Sequence, residues 1–115
     1  MDVEGALPGV QSDEGTGVKA NRVPDDTRFF DMKPHDYKFL RTRPSQDAEV
    51  THICICCGKC GAPNILPVLP EHAVHWHWDG HEDNPTLLPS ILHKGNDVVP
   101  CDWHVHLKAG EFVSC

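Results

Sequence analysis

Two short cysteine-bearing motifs, 41 residues apart, constrain this chain more than anything else in it. Cys57-Gly58-Lys59-Cys60-Gly61 is a Cys-x-x-Cys followed by glycine, and Cys101-Asp102-Trp103-His104 is a Cys-x-x-His. A two-residue gap lets both donors of a pair face one point, and the glycines accept the backbone angles of a tight knuckle. Two such pairs, separated by enough chain for a few strands, complete a tetrahedral Cys3His site. The site predicted from spacing is therefore structural zinc on Cys57, Cys60, Cys101 and His104. Cys54 and Cys56 compete for the first two positions, because four of the six cysteines fall within seven residues. Cys115 is terminal and reads as a bystander.

The size of the chain supports a structural role for the metal. With 115 residues, one domain is expected. Only its second half carries a sustained β pattern, and a core of that size is marginal alone. Val50–Cys56 reads as a strand. Asn64–Leu69 is a short apolar stretch broken by Pro67. Ala73–Trp78 alternates, with Val74, Trp76 and Trp78 on one face and Ala73, His75 and His77 on the other. Asp79-Gly80 is a turn signal. Leu87–Leu92 is another apolar stretch, within which Pro89 ends ladder pairing. Trp103–Leu107 and Glu111–Ser114 flank Lys108-Ala109-Gly110 as a closing hairpin. The expected fold is small and all-β: a zinc-stapled antiparallel β domain over residues 50–115.

Residues 1–49 read as a flexible or extended N-terminal arm, partly disordered. The first 27 are rich in Gly, Asp, Glu, Ser and Val without a sustained period. In 28–44, aromatic and basic residues alternate irregularly, and Pro34 and Pro44 oppose a continuous helix. That stretch is expected to lie on the domain as an edge strand or surface wrap.

Charge and hydropathy exclude several functions. The net charge is −7, and both halves are acidic. A nucleic-acid platform needs concentrated positive surface, so none is expected. No apolar run approaches the roughly 18 residues needed to span a bilayer, and the acidic N-terminus does not resemble a signal peptide. A location in the cytoplasm of a host bacterium or in a virion follows as the expectation. In a reducing compartment, clustered thiols read as metal ligands rather than disulfides.

Histidines supply an alternative. His75 and His77 share a strand face, and His104 and His106 form a second His-x-His. A three-histidine open site can lower the pKa of bound water to about 7. A small metal-dependent hydrolase using His75, His77, His104 and His106 is therefore the competing reading, beside a solvent-facing strand surface. Trp76, Trp78 and Trp103 are expected in the core or over the metal site.

CICCGKCGAP, HWHWDG, LLPSI at Leu87–Ile91, and CDWHVHLKAGEF at Cys101–Phe112 together resemble a domain family of unknown function carried by bacteriophages and some bacteria. The resemblance covers roughly the C-terminal half. Members of that family tend to a tighter Cys-x-Cys-Gly-Cys-Gly knuckle than the one present here. The resemblance implies a small zinc-binding β domain of phage origin and carries no reaction. The function expected from it is a structural or protein-binding role, with a virion subunit or a host factor as partner, no catalytic residues and no membrane.

Overall fold

The structure, a computed structural model, describes residues 17–95, 98 and 101–115. Among the described residues, nine strands follow one another: β1 (Val18–Lys19), β2 (Asn21–Arg22), β3 (Asp36–Arg41), β4 (Val50–Cys56), β5 (Pro63–Pro67), β6 (His77–Trp78), β7 (Leu87–Lys94), β8 (Asp102–Lys108) and β9 (Glu111–Ser114). One short 3₁₀ turn, Phe29–Asp31, precedes β3. The strands form two sheets, a five-stranded one in the order β1-β9-β8-β7-β6 and a four-stranded one in the order β2-β3-β4-β5. All pairs are antiparallel except β2 with β3. The expected all-β class is therefore the observed one.

Each sheet turns one face inward. On β8, Trp103, Val105 and Leu107 are buried, while Asp102, His104 and Lys108 are exposed. This is the period-two alternation of a half-buried strand. Leu87 and Ile91 of β7 and Phe112 of β9 complete the inner face of the larger sheet. Tyr37 and Phe39 of β3 and Ile53 and Ile55 of β4 meet them from the smaller sheet. The closing hairpin falls where the sequence places it: Ala109 (φ 47°) and Gly110 (φ 81°) make its turn. Two consecutive positive φ values are the type I′ geometry that suits the twist of a hairpin.

Two expectations differ from what is observed. Of the stretch assigned to the arm, Val18–Lys19, Asn21–Arg22 and Asp36–Arg41 are strands of the two sheets, while residues 1–16 lie outside those described. β1 lines the edge of the larger sheet against β9, and one residue later β2 joins the smaller sheet against β3. Ala20, buried between them, donates to the Gly110 carbonyl at 2.8 Å. β3 itself lies inside the smaller sheet, and its aromatic residues Tyr37 and Phe39 are core. The stretch 28–44 does lie on the domain, but inside a sheet rather than at its edge, and β1 and β2 carry no local signal because each has two residues and a partner distant in sequence.

The second difference is the strand expected over Ala73–Trp78, which shortens to His77–Trp78. Val74 is 71% exposed, whereas Trp76 and Trp78 pack against the core. The Trp76 backbone N–H donates to the Pro67 carbonyl on β5 at 2.8 Å, so this part of the chain bridges the sheets.

Candidate metal centre and serine–histidine pair

The knuckle starts where β4 ends. Cys57 follows Cys56 directly, and its N–H donates to the Ala62 carbonyl at 2.8 Å while its carbonyl accepts from Gly61 at 2.9 Å. The N–H groups of Lys59 and Cys60 point at the Cys57 sulfur, at 3.3 and 3.5 Å. Gly61 has φ 80°, the left-handed conformation that glycine adopts without penalty. Gly58 is needed for space: a Cβ there would lie 2.8 Å from Trp103 Nε1 and collide with the His35 ring.

Cys57, Cys60, His93 and Cys101 bring their ligand atoms together, all within 4.8 Å of one another. The Cys57 and Cys101 sulfurs are 3.5 Å apart, and the Cys60 sulfur is 3.5 Å from His93 Nε2. A tetrahedron with Zn–S bonds of about 2.3 Å has edges of about 3.8 Å, so these separations fit a metal ion. His93 Nδ1 lies 2.8 Å from Asn64 Oδ1, an arrangement that leaves Nε2 free as ligand. The thiols respond to their crowding. The Ala62 N–H holds the Cys60 thiol below its ordinary value, whereas burial and then the neighbouring Cys57 and Cys60 sulfurs push Cys101 to about 11.

Three of the four residues expected from spacing are in this group: Cys57, Cys60 and Cys101. The fourth expected ligand, His104, is not, and His93 stands in its place. The reason is the strand. A Cys-x-x-His pair converges only if a turn folds it back, but β8 begins at Asp102 and extends. His104 therefore leaves Cys101 behind and faces the outer side of the sheet. His93 sits opposite Trp103 across the β7–β8 ladder, close to where Cys101 enters β8. Nothing local in the sequence marks it, since no cysteine flanks it.

Cys54 and Cys56 lie outside the metal group. Both are fully buried with Met32 on the far face of the smaller sheet. Burial raises both thiols, Cys56 to about 11. Cys115 is exposed, and its N–H donates to the His104 carbonyl at 3.1 Å.

His104 has a different neighbour. Its Nε2 lies 2.8 Å from Ser90 Oγ, at the surface of the larger sheet. Ser90 belongs to Leu88-Pro89-Ser90, which bulges out of the β7–β8 ladder between the pairs Leu87–Leu107 and Ile91–Val105. Bulges re-aim side chains and gather at active sites. Leu92, paired with His104, and Leu88 are exposed on either side of Ser90. Ser90 was not singled out from the sequence. Its signal was a hydroxyl next to proline inside an apolar strand, a place where the ladder must break.

The competing four-histidine cluster does not assemble. His104 is engaged with Ser90, and His75 Nδ1 lies 2.9 Å from the His72 carbonyl. Among the described residues, the group of donors close enough for a metal is the Cys57, Cys60, His93, Cys101 set.

The model of a family described as "Bacterial ubiquitination-like system serine protease (BubE)" matches residues 24–115. The match takes in β3 to β9, both halves of the metal group, and Ser90 with His104. It sets the family in bacteria and does not bear on the phage setting expected from the sequence. No curated protein and no solved structure matches the chain.

Proposed function

The chain belongs to the bacterial ubiquitination-like system serine protease (BubE) family, and from that membership we propose that it is a serine peptidase with Ser90 as nucleophile and His104 as its base. One observation carries the reading: a serine hydroxyl and an imidazole nitrogen 2.8 Å apart on an exposed bulge. That is the separation a nucleophile–base pair requires. The partner is then a polypeptide substrate, and the family description suggests a substrate within a ubiquitination-like system.

The chemistry follows from the pair. His104, with its proton on Nδ1, accepts the Ser90 hydroxyl proton at Nε2 as Oγ attacks the scissile carbonyl. The imidazolium then gives that proton to the leaving group, and the acyl chain remains as an ester on Oγ. Water repeats the sequence: His104 takes a proton from it, hydroxide adds to the ester carbonyl, and Oγ leaves and regains its proton. Ser90 and His104 together form a nucleophile–base dyad.

The second part of the reading is that the metal is zinc and structural. Three thiolates and an imidazole suit zinc, and four protein ligands leave no open position for substrate. A bound zinc ion would supply charge to neutralise the thiolates and a rigid joint between the sheets.

A fluorophosphonate probe followed by peptide mass spectrometry tests the dyad. The zinc-loaded chain should carry one adduct, on Ser90, and Ser90→Ala should carry none. His104→Ala should slow labelling by at least about a hundredfold, the scale of a general-base contribution. Labelling at another residue, or undiminished labelling of His104→Ala, would remove the reading.

A further inference from the structure

We propose that Trp76 is a positioning residue for the nucleophile, holding the Ser90 bulge through an indole N–H to carbonyl hydrogen bond. The proposal rests on the Ser90–His104 reading and adds a residue to it.

The argument begins with the register. β7 places Leu88, Pro89 and Ser90 between two paired positions where β8 places only His106. Two extra residues cannot all stay in the ladder, and a backbone carbonyl turned out of a ladder needs another partner. Trp76 Nε1 donates to the Ser90 carbonyl at 3.2 Å. An indole has a single polar atom, and it only donates.

The donor is itself anchored outside the bulge. The Trp76 N–H is tied to Pro67 on β5, and its ring packs against the core. Trp76 therefore connects the backbone of the nucleophile to the smaller sheet. Serine has a single side-chain torsion, so the direction of Oγ is set largely by its backbone. The Ser90 carbonyl carbon and Cβ share one Cα, so anchoring the carbonyl through Trp76 resists displacement of the bulge that would carry Oγ away from His104 Nε2. Trp76 does not reach the reacting atoms and acts through Ser90.

The test compares the rate of fluorophosphonate addition to Ser90 in the full zinc-loaded chain. Trp76→Phe removes the donor and part of the ring. Replacing Trp76 by benzothienylalanine, which exchanges N–H for sulfur, keeps the shape and removes only the donor. Both variants should react about tenfold more slowly, the scale of one hydrogen bond. The benzothienylalanine variant should keep the zinc content and lie close to the wild-type thermal midpoint, which a purely structural role would not produce. A reactive wild type with an equally reactive benzothienylalanine variant would overturn the Trp76 assignment alone. A wild-type chain that does not react at Ser90 would overturn the dyad and this proposal together.

Discussion

His93 and His104 stand on neighbouring strands, and their surroundings give them different work. His93 faces three sulfurs and is steadied by Asn64, whereas His104 faces a hydroxyl. Replacing each should separate the two roles. His93→Ala should weaken zinc binding by more than about a hundredfold, beyond what losing an outer-shell partner costs. His104→Ala should hold zinc as tightly as the wild type while losing Ser90 reactivity. Competition with a chromogenic chelator measures the first quantity. Loss of zinc from His104→Ala, with His93→Ala unaffected, would return the ligand to the position expected from spacing. Cysteines at short spacing reveal themselves in a sequence, because one knuckle brings them together. His93 is brought to the site only by the β7–β8 register, so local reading could not find it.

At the level of strands, β7 carries one member of the dyad and one of the metal group, while β8 carries the other member of the dyad and begins next to Cys101. Ser90 and His93 lie on β7, and His104 on β8 follows Cys101 at its entry. A metal ion held by that group would fix the same two strands that bring Ser90 and His104 together. Structural zinc contributes about 10–16 kcal/mol in small modules, against a net stability of about 5–15 kcal/mol for a typical domain. Removing it with a chelator should abolish Ser90 labelling together with the near-ultraviolet signal of Trp103, which lies against the knuckle. Adding zinc back should restore both. A metal-free chain that keeps its full reactivity would show that the clamp is not needed for alignment. The strands themselves were largely legible: Val50–Cys56 and Glu111–Ser114 have the expected boundaries, because alternation and turn residues agree there. The Ser90–His104 pair was not, because a bulge changes which residues face each other, and only pairing reveals it.

Across the described residues, the sheets are joined at several places besides the Trp76 bridge. The chain crosses between them at Ala20, the metal group links the end of β4 to β7 and β8, and a charged cluster ties the early strands to the loop before β7. In that cluster, Arg41 reaches Asp25 at 2.8 Å and Glu82 at 3.1 Å, and also donates to the Ala48 carbonyl at 3.2 Å. Arg22 holds Glu82 and Asp83, both at 2.8 Å, and the Tyr37 hydroxyl donates to the Glu82 carbonyl at 2.7 Å. Both guanidiniums also lie over Phe39, whose ring meets Trp78 of β6 at 5.2 Å. Arg41 is the buried member, with 5% of its side chain exposed, so its contacts are less screened than those of an exposed pair. Arg41→Met keeps much of the apolar volume but leaves Asp25 without its guanidinium partner. It should lower stability by about 2–3 kcal/mol, measured by urea unfolding with zinc at a fixed excess so that metal linkage stays constant. Asp83 is mostly exposed, and Asp83→Ala should change stability by less than about 1 kcal/mol. If the two variants lose equal stability, burial of Arg41 does not govern the cluster, and the joint between the early strands and the larger sheet lies elsewhere.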